Sequence, residues 1–390
     1  MDKMNMMTSS AVEILDRMVA FETISSQPNL DFVDYVKEHL MREGIEAHIS
    51  YDETGQRANI HGLIGPKIDG GVVLNGHTDV VPVEGQDWTS HPFHLTARDG
   101  RLHGRGAVDM KGFLACMLAA VPMWKEKALK RPIHISMCYD EENGGFGAPV
   151  LVKDIAAKVP RPAVAVVGEP TGMRIISGHK GGYEMRTEFT GLEAHSSDPR
   201  KGASAILYAT RFINQLERIV EKLRHETGSQ SPFDPPHTTV NIGMINGGTA
   251  RNIVPGHCAI EWECRPSSPE DGKRLMAEIH DYADNELLGE MRQEFSEAQI
   301  DIITEADVPG LNPEKAAKAV AFLSEVTGLN STDVVSFGTD AGHFCKDGIS
   351  TVVFGPGSID QAHKPDEYIE ISQLTACMKF FDKLGNHMTK

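Results

Sequence analysis

Residues 71–82 read GVVLNGHTDVVP: an apolar, β-branched run, halted by Asn-Gly and followed at once by a histidine and an aspartate. A short run without polar alternation belongs to a strand buried on both faces, the condition of a parallel sheet covered by helices. Two more β-rich runs, IHISMCY (133–139) and AVAVVGE (163–169), follow within the first 180 residues. Helical stretches lie among them: SAVEILDRMVAF, LDFVDYVKEHLMREG and MKGFLACMLAAVPMW. The alternation predicts an α/β unit with a mostly parallel central sheet.

Beyond Gly181 the texture changes. YEMRTEFTG alternates as a half-buried strand does, a helix follows from about Ala203 to His225, and HTTVNIGMING and HCAIEWECRP read as two further strands. A helix near DGKRLMAEIHDYADNELL and a last strand, QIDIITEA, complete the order β-α-β-β-α-β of a ferredoxin-like α+β sandwich. After DVPGLNP the α/β pattern resumes with KAAKAVAFLSEV, TVVFGPG and a final helix. The expected organisation is a discontinuous larger domain, residues 1–180 and 307–390, with a smaller one, 181–306, inserted into it; a cleft is the natural ligand site.

At 390 residues the chain is long for a single core, which favours two units. A formal net charge of −17 argues against nucleic acid or an anionic membrane surface as partner, since both call for clustered Lys and Arg. The six cysteines show no CxxC or paired spacing, as expected of reduced thiols in the cytoplasm. No signal peptide is read at the N-terminus, and no apolar run is expected to approach the eighteen or so residues of a membrane span.

Chemistry collects at the strand ends. His77-Thr78-Asp79 follows VVLNG, Asp140-Glu141-Glu142 follows IHISMCY, Glu169 follows AVAVVG, and His363 follows TVVFGPGSIDQA. Asp109 sits in the Gly-rich loop GRGAVDMKG just before a helix. Ligands of open α/β sheets bind beyond the carboxyl ends of the strands, so these side chains are expected on one edge. Imidazoles with carboxylates and no thiolate suit zinc, cobalt or manganese, and carboxylates also bridge paired ions. His77 and Asp79 are two apart, so in extended chain they share a face, where Asp79 can accept a hydrogen bond from the imidazole nitrogen turned away from a metal. Glu141 and Glu142 point different ways: one can ligate while the other handles a proton.

The motifs NGHTDVVP, GRGAVDMKG, DEE, GEPT and GPGSIDQAHKPDE, in this order, resemble those of the dinuclear-zinc aminoacylase/carboxypeptidase family. GPGSIDQAHKPDEYIE, HKGG and AHSSDP resemble its acetylornithine deacetylase branch. The resemblance spans nearly the whole chain. It implies a zinc-aminopeptidase-like catalytic domain, an inserted lid and dimerisation domain, two Zn2+ (or Co2+) ions per subunit and a homodimer. It also implies that His77, Asp109 and Glu169 hold one ion and Asp109, Glu142 and His363 the other, with Asp109 bridging and the Asp109-Met110 peptide cis. Glu141 is the implied general base and Asp79 the residue orienting His77.

His195 matches the histidine that reaches the partner subunit's site and steadies the oxyanion, and Asn252 and Arg265 match substrate-holding positions. A lid turn and a strand-end salt bridge are their plainer readings. Lys180, Gly182 and Thr339 are expected to line the pocket. Asp340 could recognise a substrate ammonium group or simply begin a helix. The expected activity is deacetylation of N2-acetyl-L-ornithine through a metal-bridging water. The alternatives are another N-acyl amino acid, succinyl-diaminopimelate, a dipeptide, or a non-catalytic metal-binding relative.

Overall fold

The buried runs identified above pair with one another in a computed structural model that describes residues 3–227 and 231–390. They form an eight-stranded sheet in the order Ala47–Tyr51, Ala58–Ile64, Ile133–Cys138, Gly71–His77, Pro162–Val167, Ser350–Val353, Ile175–His179, Thr332–Val335. The four central strands run parallel. Antiparallel pairings flank them, 47–51 with 58–64, 58–64 with 133–138, and 350–353 with 175–179, so the sheet as a whole is mixed. The helix Gly112–Lys125 connects 71–77 to 133–138 and the helix Gly147–Lys158 connects 133–138 to 162–167, the crossovers that parallel strands require and antiparallel ones do not.

The chain divides into two units. The first comprises Met1–His179, Leu311–Val334 and Thr339–Lys390; the second comprises Lys180–Gly310 and Val335–Gly338. Lys180, residues 307–310 and Val335–Gly338, expected with the larger domain, thus go with the second unit; at 307–308 this is because the strand Gln299–Val308 runs on past residue 306.

In the first unit the helices Lys3–Val19, Gly112–Lys125 and Ile371–His387 contribute to the core that includes the sheet's buried side chains. Gly112–Lys125 is apolar on every face and almost wholly buried, as an all-round hydrophobic helix must be in water. Trp124 donates its indole N–H to the Phe381 carbonyl at 2.9 Å, and its ring stands edge-on to Phe381 at 5.2 Å. Contrary to the expectation from sequence, one segment, Ala107–Lys125, is long and apolar enough to cross a membrane. Its burial inside the fold shows why it is so apolar: it consists of the loop bearing Asp109 and the core helix Gly112–Lys125.

The same sheet carries a titratable pair. His61 and His134 are buried on neighbouring strands with ring nitrogens 3.1 Å apart. Burial holds both imidazoles below their ordinary pKa, His134 at about 4. Between pH 6.5 and 4 the unfolded chain therefore binds protons that the folded chain refuses, so stability is lost as pH falls. For His134 alone the loss amounts to about 3 kcal/mol. Urea unfolding of the metal-free protein across this range should show a shallower loss for His134→Asn than for the parent; equal slopes would count against the buried neutral pair.

The second unit holds a four-stranded antiparallel sheet in the order Thr239–Gly247, His257–Arg265, Gly182–Thr190, Gln299–Val308. With the helices Ala205–Thr227 and Pro269–Tyr282 this is the β-α-β-β-α-β order. Phe189, Phe212 and Trp262 lie in its core. Ser268 caps the second helix by accepting from the Asp271 N–H at 3.1 Å, with Pro269 at the first helical position. Thr239–Gly247 is an edge strand that exposes Met244 and Ile245, and Leu207 is exposed on the first helix.

Candidate metal centre

Register brings the donors together in the first unit. His77 pairs with Cys138 on one side, and Asn75 pairs with Val167 on the other. Residues 140–142 and Glu169 therefore emerge on either side of His77. Gly168 is obligatory there: a Cβ would fall 2.2 Å from the Phe113 ring, while its N–H donates to the Asn75 carbonyl at 3.0 Å. Asp109 comes from the loop before the helix Gly112–Lys125, where Gly106 has φ +78° and the Asp109-Met110 peptide is cis. His363 comes from the segment after Ser350–Val353.

His77 Nε2 lies 3.0 Å from Asp109 Oδ1 and 3.9 Å from Glu169 Oε1. His363 Nε2 lies 3.4 Å from Asp109 Oδ2 and 3.0 Å from Glu142. Two groups of three result, His77/Asp109/Glu169 and Asp109/Glu142/His363, each with all donor atoms within 4.8 Å and with Asp109 common to both.

The electrostatics fit cations. Burial, then the charge of Asp109, pushes Glu142 up to about 7. Burial likewise lifts Glu141 and Glu169 well above the carboxylate range, helped by the Glu169 charge at Glu141 and by Asp109 at Glu169. His363 is pushed up to about 10 by its hydrogen bonds to Asp109 and Glu142. Burial works against a charged His77, but the neighbouring carboxylates outweigh it and hold its pKa well above normal. Glu169 Oε1 is buried without a hydrogen-bond partner. Crowded acids, an unsatisfied carboxylate oxygen and two imidazoles are relieved together by divalent ions. The residues present therefore fit the pair of metal ions implied by the sequence.

Asp79 acts through different atoms from those expected. The carbonyl of Asp79, not its carboxylate, meets His77 Nδ1, at 2.9 Å against 3.6 Å for Oδ1. A carbonyl can only accept, so Nδ1 carries the proton and Nε2 is left as the ligand atom. The carboxylate instead accepts from the N–H groups of Glu141 and Glu142, at 3.1 and 3.3 Å, and from the Ser25 hydroxyl at 2.7 Å. Glu141 belongs to neither donor group and is only partly buried. Asp140 turns away at φ +52°, paired with the Arg57 guanidinium and accepting from the Ser26 N–H at 2.7 Å. The three successive acids thus face three different surroundings.

Thr339 and Asp340 are not placed as pocket-lining groups. Each is 1% exposed. Thr339 Oγ1 bonds His179 Nε2 at 3.0 Å, and Asp340 Oδ2 accepts from the Cys138 thiol at 2.7 Å and from Asn75 at 3.3 Å. Burial pushes Asp340 up to about 6, which disfavours the charge that ammonium recognition needs. Sequence pattern could not reveal this, because the partners lie 160 residues away for Thr339 and more than 200 away for Asp340. A groove of about 830 Å³ lined by His48, Lys67 and Lys158 contains none of the expected site residues.

The remaining expected residues belong to the second unit. His195 is exposed, with Nδ1 2.8 Å from the Ser197 hydroxyl, and pairs across two short strands with Ile253, next to Asn252. Arg265 makes the strand-end salt bridge, to Glu263 at 3.0 Å, beside Gly182. Lys180 is buried and donates to the His237 carbonyl at 2.8 Å.

A mixed α/β sheet with imidazole and carboxylate donors at its carboxyl edge describes a metal-dependent hydrolase. The model of peptidase family M20/M25/M40 matches residues 73–387, and the chain belongs to this family. It is a hydrolase acting on amide bonds. It is 37% identical over 374 residues to the acetylornithine deacetylase of Myxococcus xanthus, covering 93% of each chain. It is 32% identical over 392 residues to that of Photorhabdus laumondii, covering 98% of each. Among solved structures it resembles the M20 family metallo-carboxypeptidase Sso-CP2 of Sulfolobus solfataricus (TM-score 0.72, 18% identity, 100% of each chain). It also resembles aminopeptidase PepT of Bacillus cereus (TM-score 0.71, 21% identity, 98% and 99% covered). At these identities the two structures speak for the zinc-peptidase-like fold alone.

Proposed function

We propose that this chain hydrolyses N2-acetyl-L-ornithine to L-ornithine and acetate in the cytoplasm. The reading is supported by the activity named for its curated relatives and carried by the two donor groups that share Asp109. His77, Asp109 and Glu169 would hold one Zn2+ or Co2+ ion, and Asp109, Glu142 and His363 the other. Divalent ions so held act as Lewis acids and make water more acidic.

The protein's own groups do the rest. Glu141 takes one proton from the attacking water as its oxygen bonds the acetyl carbon, then gives that proton to the departing α-amine as the C–N bond breaks. Its environment suits the shuttle, because burial and the charge of Glu169 raise its proton affinity. Asp79, through the Glu141 and Glu142 N–H groups, holds the peptide that carries the base. The second unit serves as lid and dimerisation domain, its exposed edge strand Thr239–Gly247 and Leu207 offering an apolar face to a second copy. In such a homodimer His195 steadies the oxyanion, and Asn252, Arg265, Lys180 and Gly182 hold the substrate.

A panel of N-acyl amino acids, succinyl-diaminopimelate and dipeptides, run on protein of known metal content, tests the assignment. Acetylornithine should lead in kcat/KM by at least about 10-fold, or about 1.4 kcal/mol in the transition state. A flat profile would remove the ornithine assignment. Since Asp340 is buried, Asp340→Asn should lower kcat/KM for acetylornithine and acetylmethionine by the same factor. A loss confined to the ornithine substrate would return Asp340 to cation recognition.

A further inference from the structure

Glu367 lies at the end of the HKPDE stretch and has no part in either donor group. It is 2% exposed, and its partner Arg105 is 1% exposed. One carboxylate oxygen accepts from the Val108 N–H at 2.9 Å and the Asp109 N–H at 3.2 Å. The other accepts from the Gly106 N–H at 3.1 Å and from Arg105 Nη1 at 2.7 Å. Three of these four bonds reach the main chain of the loop that presents Asp109. Charge-assisted bonds to a buried carboxylate are strong, so the loop is held from one point.

The chain around Glu367 also carries His363, four residues earlier. His363 and Asp366 both have positive φ, 62° and 56°, so the segment turns sharply on itself. Asp366 accepts from the N–H and hydroxyl of Thr89 at 2.9 Å. Directly after Glu367, Tyr368–Glu370 pairs antiparallel with Arg101–His103, and the Gly104 N–H donates to the Glu367 carbonyl at 2.9 Å. Arg105 is fixed in turn by Gln86 Oε1 at 2.5 Å and by the Trp88 ring at 5.1 Å. The loop bearing Asp109 and the segment bearing His363 are thus fastened to each other, chiefly by Glu367, with Arg105 Nη1 also reaching the Lys364 carbonyl at 3.4 Å.

We propose that Glu367 is a positioning residue: it locks the Asp109 loop to the His363 segment and so sets the spacing of the Asp109/Glu142/His363 group before an ion arrives. The proposal rests on reading that group as an ion site. Its physical content is preorganisation, since donors already at their spacing need not be ordered by the ion. Groups that hold metal ligands in place typically change metal affinity by about 10- to 100-fold when replaced.

The test uses metal-free protein titrated with zinc by calorimetry, alongside hydrogen exchange of the peptides spanning residues 104–111. Glu367→Gln keeps one accepting oxygen and turns the other into a donor. It should speed exchange in this loop and weaken one of the two zinc affinities by about 10- to 100-fold. Because the variant leaves the buried Arg105 charge without a carboxylate partner, the double change Arg105→Met with Glu367→Gln is measured as well. Its thermal midpoint should recover towards the parent while zinc binding stays weak, a split that a role in fold stability alone does not produce. Two zinc ions bound at parental affinity by either variant would overturn the proposal. A parent protein that binds fewer than two ions would instead overturn the ion-site reading, and the positioning role with it.

Discussion

Glu141→Gln should abolish turnover while zinc content stays at two ions per chain. The substitution preserves shape and removes only the ability to take and return a proton. General base and acid catalysis by one group is worth roughly 10²- to 10⁴-fold, so kcat should fall by that factor. Metal content should hold, because Glu141 belongs to neither donor group. Its N–H still reaches the Asp79 carboxylate in the variant, since that bond is made by the main chain. The measurements are kcat with acetylornithine and metal analysis on the same preparation. A fully active Gln variant would take Glu141 out of the mechanism; an inactive variant that had lost its metal would make Glu141 a ligand instead.

Asp109→Asn should cost both ions rather than one. Asp109 is the residue common to the two donor groups, one oxygen towards His77 and the other towards His363. An amide supplies a single weak oxygen donor, so neither group keeps three competent ligands. In the parent, added zinc should raise the thermal midpoint, since an ion that binds only the folded chain stabilises it by RT ln(1 + [L]/Kd). In the variant the midpoint should not respond to zinc at concentrations that saturate the parent. A variant that still binds one ion tightly would mean that Asp109 does not bridge. Glu142→Gln provides the contrast: it touches only the Asp109/Glu142/His363 group and should leave one ion in place.

The two predictions depend to different degrees on what could be read from residues alone. The donor types behind Asp109 were legible, because a strand ending in Gly-His-Thr-Asp and a Gly-rich loop ending in Asp announce themselves by composition and position. The atom-level duties were not. Asp79 was expected to hold His77 with its carboxylate; the carbonyl does so, and the carboxylate holds the Glu141 and Glu142 N–H groups. Residue spacing says which side of a strand a group occupies, but main-chain and side-chain oxygens of one residue can both lie there. Asp340 was legible only as an acid near a helix start, since its burial depends on Cys138 and Asn75, which arrive from strands far away in sequence. Glu367 was visible merely as one letter in a longer motif.

By itself the amino-acid order determined the alternation of buried strands and helices, the insertion of a second unit, and the arrival of His77, the acids after Cys138, Glu169 and His363 at strand ends. These follow from local patterns: periodicity, apolar runs and turn residues act over a few positions. Only tertiary structure decided that the sheet is mixed, that a membrane-length apolar segment is core, that the carbonyl of Asp79 and not its carboxylate meets His77, and that Glu367 clamps the loop bearing Asp109. Those outcomes rest on distances of about 3 Å between groups as much as 261 positions apart, and such distances are fixed by packing of the whole chain, which no local pattern encodes.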